Sequence, residues 1–581
     1  MLPAQPSETP QRHPITLSGP APSLSAIDLY SGVGGWSLGL GLASIDTVAS
    51  YEIWSPANQS LRENLGNDAC ECDIRSLELS DLPTNADVVV GSPPCTQFSY
   101  SNRGGSGNIE DGLLDVARFL EIVEYVDPRF WIMENVPRLA NILAYEVACG
   151  SLRRYAHLVD HIHVLDMSKY GLPQRRRRML AGRFPLERLE SYGGSIPTST
   201  LGDIVSALGS NPVVDPIYGT RIDRSLVSDQ ETEPPLSPEE LRMNREAKTF
   251  HPVYNAMRFP DSDDQPARTV TATCTRVARE SIVIRSPEAD HDASIRRLTV
   301  RERASLQSFP VTYQFFATTY TDKLKMVGNA FPPLISYLVG QSLHEVDASS
   351  LPHPGTRVEL LPKPKSLAPS VPVGVRQSHY PASRRYRAAI PGLRFGSGVR
   401  FELANQFTDG MPTWAIGFYF GTSNNILRVA LDNELLEDSL SAIGSSGYRI
   451  AASNLLDEFS DIANLPPSGL QDVWAHRTAG QHPFDVTDLL GNLSDRMQSA
   501  MPPASRPQRT EFVLKTIAKA SKANGTRWLQ TGLWASTHLQ DLGLDVDDMG
   551  RVGKMEQHAE AIFAGFLVGS WFNTQVKMAG R

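Results

Sequence analysis

Three groups of residues, met in order along the chain, could together modify a pyrimidine ring. Cys95, in Pro93-Pro94-Cys95-Thr96, supplies a thiol, and Glu134, in Glu134-Asn135-Val136, supplies a carboxyl group. The run Gln174-Arg175-Arg176-Arg177-Arg178 supplies guanidinium groups. A thiolate can add to carbon 6 of a cytosine while a carboxyl group holds ring nitrogen 3, and carbon 5 can then be alkylated. The ordered set predicts chemistry of this kind.

The two reactive groups each have a plainer interpretation. A lone cysteine is most often a buried structural residue, but Pro93 and Pro94 stiffen the turn before Cys95. The glycine- and serine-rich residues 99–108 after it are typical of a loop that closes over a substrate. The apolar residues before Glu134 favour a protonated carboxyl group that acts as a general acid. The alternative is a salt-bridged acid at a strand end.

The arginines divide into two pairs if this run is a strand. Successive side chains of a strand point to opposite faces, so Arg176 and Arg178 would line one pocket. Arg175 and Arg177 would face away, with structural or phosphate-facing roles.

A glycine-rich turn precedes the cysteine. Residues 28–36 follow a predicted strand and open a helix, and Gly32, Gly34 and Gly35 allow a sharp turn close to a ligand. Glu52 ends the next strand, where an acid can bind ribose hydroxyls, and Asp73 could accept from an adenine amino group. The sequence has no Walker loop to bind phosphates. The glycine-rich turn and the two acids therefore suit a nucleoside cofactor, such as S-adenosylmethionine, better than a nucleotide.

Short apolar runs alternate with helical patterns in the part of the chain that must position these residues. Strands are predicted at 26–30, 48–52, 87–91 and 130–133, and a helix at 113–126. This alternation predicts an α/β fold with a doubly wound, mostly parallel, Rossmann-like sheet. Cys95 would lie at the carboxyl edge of that sheet.

Residue composition and hydrophobic periodicity change along the chain and indicate several regions. Residues 1–24 are a flexible tail, 25–184 the catalytic domain, 185–293 a small irregular insertion with β-like runs at 269–271 and 281–284, and 294–345 a return to the catalytic domain. A Pro/Ser-rich linker at 346–385 leads to a separate α+β domain at 386–581. In that domain, residues 414–420 and 426–431 predict a β-hairpin, and helices are expected at 511–523 and 556–572.

Composition narrows the class of protein. The net charge is −9, which neither supports nor excludes DNA as a partner. The five cysteines have irregular spacing, which indicates reduced thiols in a cytoplasmic protein and no metal site. No apolar run is long enough to span a membrane.

These motifs resemble those of the cytosine-5 DNA methyltransferases of bacterial restriction–modification and defence systems, over residues 25–343. The resemblance implies cofactor contacts from Tyr30, Gly32, Gly34, Gly35, Glu52, Asp73, Pro94 and Asn329, the last in Gly328-Asn329-Ala330-Phe331-Pro332-Pro333. It assigns catalysis to Cys95, Glu134, Arg176 and Arg178, and target recognition to residues 185–293. Residues 296–310 are similar to a structural helix motif of the family.

The family resemblance also implies a reaction and its partners. The methyl donor is S-adenosylmethionine, and the substrate is double-stranded DNA from which the target base is flipped. A cognate restriction or defence protein is a further candidate partner. Two features depart from the family pattern. Thr96 stands directly after Cys95, where the family usually has glutamine, and a glutamine follows only at Gln97. Tyr30 stands where the family usually has phenylalanine.

Other interpretations remain open at this stage. An RNA cytosine methyltransferase would use the same scaffold, although the large insertion favours DNA. A non-catalytic binding module would not need Cys95, Glu134 and Arg178 together. The C-terminal domain is either an accessory domain that contacts DNA or a partner, or a fused nuclease, and its acids at 541–548 show no nuclease spacing.

Overall fold

A computed structural model describes residues 24–99, 107–231, 233–249, 256–272, 275–286, 295–364, 380–395, 398–422, 425–444, 446–523 and 555–579. The predicted tail, most of the loop at 99–108, the middle of the linker, Cys274 and the acids at 541–548 lie outside these residues. Contacts divide the described chain into two compact units. The first takes in 24–235, 261–275 and 280–373, and the second takes in 236–260, 276–279 and 374–581.

The first unit contains a six-stranded sheet. Its strands are β1 Leu24–Leu29, β2 Ile45–Tyr51, β3 Val88–Gly91, β4 Phe130–Asn135, β5 His161–Asp166 and β7 Arg177–Arg183. A short strand between β5 and β7, β6 Gln174–Arg175, is not part of this sheet. The order is β2-β1-β3-β4-β7-β5, and only β7 runs antiparallel to its neighbours. The predicted four strands and the mostly parallel sheet are confirmed.

Both faces of this sheet are covered, which explains why its strands are apolar throughout. Val88 and Val90 of β3 pack into one hydrophobic core, and Val89 between them packs into another on the opposite face. Helices supply the two outer layers. They are α1 Gly35–Leu42, α2 Ser55–Leu65, α3 Ile109–Val126, α4 Arg138–Cys149 and α5 Leu186–Ser191.

The strand order changes direction between β1 and β3. From β1 the chain goes outward to β2 and then returns past β1 to β3. The loops that leave the carboxyl ends of β1 and β3 therefore separate to opposite sides and leave a crevice, the usual place for a ligand in such sheets. Residues 30–35 and 92–95 follow these two strands.

The insertion after β7 is irregular, and the chain then returns to the first unit. Its described elements are α6 Leu201–Gly209, β8 Val213–Val214, β9 Arg221–Ile222, α7 Pro238–Thr249, β10 Ala267–Arg268, β11 Val283–Arg285 and β12 Ile295–Arg297, followed by α8 Val300–Leu306, α9 Tyr320–Asn329 and α10 Pro333–Leu343. The predicted strand at 269–271 is wrong: β10 ends at Arg268, because Thr269 and Val270 instead bond to the Arg175 carbonyl and the Gln174 side chain.

The second unit is built on a four-stranded antiparallel sheet. Its strands are β13 Arg387–Arg394, β14 Arg400–Thr408, β15 Met411–Thr422 and β16 Asn425–Val429. Its helices are α11 Asn433–Ala442, α12 Ser446–Asp457, α13 Ser460–Ala463, α14 Pro467–Trp474, α15 Pro483–Ala500, α16 Arg506–Ala523 and α17 Ala559–Ala579. The predicted hairpin and the two predicted helices are confirmed.

Helix α7 of the insertion belongs to the second unit. Met243 packs against the core of that unit, and Arg242 forms ion pairs with Asp485 and Asp488 of α15. Glu239 accepts from His482, whose Nε2 lies 3.1 Å from its Oε1. Residues 236–260 therefore share their contacts with the C-terminal part of the chain, while the boundaries drawn from sequence at 185–293 and 386–581 stay predictions.

Candidate active site

The turn after β1 forms one wall of the crevice. Tyr30, Gly32 and Gly34 all have positive φ, so the chain reverses sharply before α1. A Cβ at Gly32 would meet nothing within 4 Å, so this glycine borders open space. A Cβ at Gly35 would lie 2.0 Å from the carbonyl oxygen of Phe331, which means that Gly35 permits close packing of α1 on the returning segment.

Glu52 lies beside this turn at the end of β2. Its Oε2 accepts from the Gly32 amide at 2.9 Å, and its Oε1 accepts from the Trp54 amide at 2.7 Å. Burial raises the pKa of Glu52 above its ordinary value. A carboxylate offers about four lone-pair positions, so beside the backbone amides that it accepts from, Glu52 can still accept from a ligand that brings a hydroxyl donor, such as a ribose.

Asp73 is held close to the same strand end. Cys70 pairs with Tyr51 in an isolated bridge, and the Glu52 amide donates to the Cys70 carbonyl at 3.1 Å. Asp73 follows three residues after Cys70 and is exposed, and its Oδ1 accepts from the Arg75 amide at 3.0 Å. The predicted ribose and adenine acids are thus on adjacent segments. The other two predicted cofactor residues, Pro94 and Asn329, are both exposed.

Tyr30 takes part in a polar network that phenylalanine could not form. Its hydroxyl donates to Asp115 Oδ1 on α3 at 3.3 Å. Arg75 binds the same carboxylate through Nε at 2.8 Å and Nη2 at 2.6 Å. Through Nη1 it also reaches Asp111 at 3.0 Å. The network joins the turn after β1, the segment of Asp73 and the first turns of α3.

Cys95 is placed by contacts that hold the turn after β3. Trp36 Nε1 donates to Ser92 Oγ at 3.1 Å, and Asn135 Nδ2 donates to the Pro93 carbonyl at 3.0 Å. Burial raises the pKa of the Cys95 thiol, the Glu134 carboxylate adds to this rise, and Arg178 and Arg176 oppose it. All four side chains therefore lie within electrostatic range of one another.

Glu134 and Arg178 form an ion pair beside the cysteine. Arg178 Nε lies 2.9 Å from Glu134 Oε1, and the two side chains are only 15% and 9% exposed. They come from adjacent antiparallel strands, since Glu134 pairs with Leu180 of β7. The pair fixes the direction of the carboxyl group at this edge of the sheet.

Arg176 is buried and lies between β6 and β7. Its Nη1 donates to the Val270 carbonyl at 3.1 Å, and its Nη2 lies 3.3 Å from the Ala330 carbonyl. Burial lowers the pKa of Arg176 to about 9, with Arg178 as the next cause. Arg175 and Arg177 are exposed, so the predicted division of the four arginines agrees with their burial. The hydrogen bonds of Arg176 nonetheless hold backbone carbonyls of the insertion and of the returning segment, and a contact with substrate stays a prediction.

Gln97 bridges the two ends of the loop that follows Cys95. Its Oε1 accepts from the Asn108 amide at 2.8 Å, and its Nε2 lies 3.4 Å from Asp111 Oδ2. In this state the side chain is bound to the loop itself.

Two positioning residues were missed by the sequence reasoning. Asn135 ties the turn of Cys95 to the end of β4, and Gln174 accepts from the Val270 amide at 2.9 Å and donates to the Leu306 carbonyl at 2.8 Å. Both stand inside the quoted motifs, but their partners lie far away in sequence. Among the residues described, no group of three His, Cys, Asp or Glu side chains could hold a metal ion.

The arrangement can activate an electron-poor ring. It presents a thiol, an ion-paired carboxyl group and a guanidinium at one edge of the sheet, next to a crevice suited to a nucleoside. The chain matches the family described as C-5 cytosine-specific DNA methylase over residues 24–345. Residues 346–581 lie outside that match.

Individual relatives match over the same share of the chain. The Type II methyltransferase M.HgiDI of Herpetosiphon aurantiacus is 27% identical over 55% of this chain and 94% of its own length. M.AplI of Arthrospira platensis, also a Type II methyltransferase, is 29% identical over 55% of this chain and 85% of its own length. Among solved structures, the Entamoeba histolytica methyltransferase EhMeth is 15% identical, with a TM-score of 0.42, over 56% of this chain and 98% of its own.

Proposed function

Because the chain belongs to the C-5 cytosine-specific DNA methylases, we propose that it methylates carbon 5 of cytosine in double-stranded DNA. The observation that carries this proposal is the placement of Cys95, Glu134 and Arg178 together beside the crevice after β1 and β3. The relatives named Type II methyltransferases support a role in restriction–modification, with a cognate restriction enzyme as partner. Such a protein would work in the cytoplasm, where the DNA of a bacterial cell lies.

The residues of the crevice fit the methyl donor. Glu52 would bind the ribose hydroxyls, Asp73 the adenine amino group, and the open side of Gly32 would admit the ligand close to the backbone. S-adenosylmethionine would supply an electrophilic methyl group. Tyr30 would set the shape of this pocket through its bond to Asp115.

Cys95 and Glu134 would act together on the cytosine ring to make its carbon 5 nucleophilic. The Cys95 thiolate forms a bond to carbon 6 while Glu134, as the acid, donates the proton of its carboxyl group to ring nitrogen 3, so the negative charge that moves onto the ring is neutralised. The carboxylate left behind is stabilised by Arg178. Carbon 5 thereby becomes the nucleophile. After methylation carbon 5 gives its proton to water, the electron pair of that bond re-forms the ring double bond, and the carbon–sulfur bond breaks to regenerate the Cys95 thiolate. The proton on nitrogen 3 returns to the Glu134 carboxylate.

Arg178 serves two groups in this scheme. It orients Glu134 through the 2.9 Å ion pair, and its charge lowers the pKa of Cys95 against the effect of burial. Because the thiol is otherwise held in its neutral form, Arg178 favours the thiolate that attacks.

Incorporation of tritium from labelled S-adenosylmethionine tests the proposal. Mixed-sequence duplex DNA and RNA are incubated separately with the wild type, with Cys95→Ala and with Cys149→Ala, which removes an exposed cysteine. Label in DNA cytosine that is lost only in Cys95→Ala is expected. Label only in RNA would overturn the substrate, and label in DNA that survives in Cys95→Ala would overturn the nucleophile.

A further inference from the structure

One face of the sheet in the second unit carries a row of arginines around a tyrosine. Arg394 of β13 pairs with Arg400 of β14, Arg400 with Tyr419 of β15, and Tyr419 with Arg428 of β16. Directly paired residues point to the same face of an antiparallel sheet. The row therefore crosses all four strands on a single face.

This face is opposite the one that α17 covers, and at its edge Arg394 donates to the carbonyl of Thr249 at the end of α7 at 3.4 Å. Phe401 and Phe418, which alternate with the arginine row along β14 and β15, contact Phe566 of α17, with ring centroids 5.9 and 5.3 Å apart. The arginine face instead carries small residues beside the row, namely Ala404, Ala415 and Gly417.

The face has a large excess of positive charge. Arg387, which pairs with Ala404, adds a fourth guanidinium to the three of the row. Glu402 is the acid among the paired residues of this face, and it is buried and bonded to both Arg387 and Arg400. One carboxylate thus faces four guanidiniums in a chain whose net charge is −9. Arg400 is itself 1% exposed, and its Nη2 has no hydrogen-bond partner within the described parts of the protein.

Tyr419 stands at the centre of this charge. The guanidinium carbons of Arg400, Arg387 and Arg428 lie 5.3, 5.8 and 5.8 Å from its ring centroid. Its ring lies over Gly417, where a Cβ would come within 2.7 Å of it. Clustered arginines with an aromatic ring among them are typical of surfaces that bind nucleic-acid backbones.

We propose that this arginine face, made of Arg387, Arg394, Arg400, Arg428 and Tyr419, binds the sugar–phosphate backbone of the DNA substrate. The proposal rests on the proposed function for its choice of DNA. Phosphate oxygens would bond to the exposed Arg387 and Arg428, while the buried Arg400 would add positive charge beneath them without contacting the phosphates. The second unit would hold DNA independently of base sequence, and tethering would raise the local concentration of substrate for the catalytic unit.

Fluorescence anisotropy with a labelled mixed-sequence duplex tests the arginine face on the full chain. The test variant is Arg387→Ala/Arg428→Ala, and the charge-matched control is Arg449→Ala/Arg477→Ala, which removes two exposed arginines of the same unit. We expect the test variant to bind roughly tenfold to hundredfold more weakly at ~0.1 M salt, with a salt slope lower by about 1.8. Tyr419→Ala should weaken binding while leaving that slope unchanged.

Binding and slope of the test variant equal to those of the control would overturn the proposal. So would displacement of the duplex by polyglutamate at equal charge concentration, because the face would then bind acidic protein segments. Binding is read without methyl transfer, so Cys95→Ala should keep the wild-type affinity and slope. A failure of the arginine face is therefore distinguishable from a failure of the proposed catalysis.

Discussion

Replacing Arg178 by alanine should destabilise the first unit and slow alkylation of Cys95 together. The variant leaves the Glu134 carboxyl group, only 9% exposed, without its partner at 2.9 Å. Exposed ion pairs contribute about 0–1 kcal/mol, whereas breaking a fully buried pair costs about 3–5 kcal/mol. With side chains 15% and 9% exposed, this pair lies between these limits, and we expect a loss of about 2–3 kcal/mol.

Thermal unfolding and peptide-resolved alkylation measure the two effects. A loss of that size should lower the Tm of the first unit, which has about 320 residues, by roughly 3–5 °C. The alkylation rate of Cys95 at pH 8 should fall as well, because Arg178 is the leading cause that lowers the pKa of this thiol against burial. Arg177→Ala is the matched control, since its side chain is exposed on the same strand.

A double variant separates the ion pair from other contacts of the arginine. Adding Glu134→Gln to Arg178→Ala removes the uncompensated charge, so part of the lost stability should return. Equal Tm values and alkylation rates for Arg178→Ala and Arg177→Ala would refute the reasoning, because Arg178 would then stabilise neither the carboxylate nor the thiolate.

Three further outcomes are expected. Tyr30→Phe should cost about 1 kcal/mol of stability by removing the bond to Asp115, and should raise the KM for S-adenosylmethionine, as initial-rate kinetics will show. Burial raises the pKa of Asp28 from 3.8 to about 7, so its cost to stability is absent below pH 3.8, grows up to about pH 7 and is complete above it. Asp28→Asn should therefore stabilise the fold at pH 8 by at most about 4 kcal/mol, with little effect near pH 4, in urea melts at both pH values. A chain cut after residue 363 should aggregate during purification, because α7 loses the core that buries Met243.

The central sheet and the proximity of Cys95 to Glu134 were predictable because they depend on local sequence pattern, while the catalytic roles of these residues stay predictions. Buried parallel strands are short and apolar on both faces, as Val88, Val89 and Val90 show. Cys95 follows β3, and Glu134 lies in the last two residues of β4, so the order of β1, β3 and β4 is enough to bring both side chains to one edge of the sheet.

Contacts between distant segments were not predictable in the same way. Tyr30 meets Asp115 across 85 positions, and Asn135 reaches Pro93 across 42, with no periodicity in sequence to mark either pair. Likewise, the polar sequence of α7 gives no sign that Met243 packs with residues of the C-terminal half. The arginine face could not be predicted from sequence, because only the strand register places Arg394, Arg400 and Arg428 in one row.

A covalent trap tests the central claim, that Cys95 attacks carbon 6 of cytosine in DNA, most directly. Mixed-sequence duplex DNA is synthesised with 5-fluorocytosine in place of cytosine and incubated with the protein and S-adenosylmethionine. After methylation the fluorine at carbon 5 cannot leave as a proton does, so the thiolate cannot be eliminated. We predict a protein–DNA complex that survives denaturation, requires S-adenosylmethionine and is absent with Cys95→Ala. A complex that persists in Cys95→Ala, or methylated DNA formed without any trapped complex, would contradict the account.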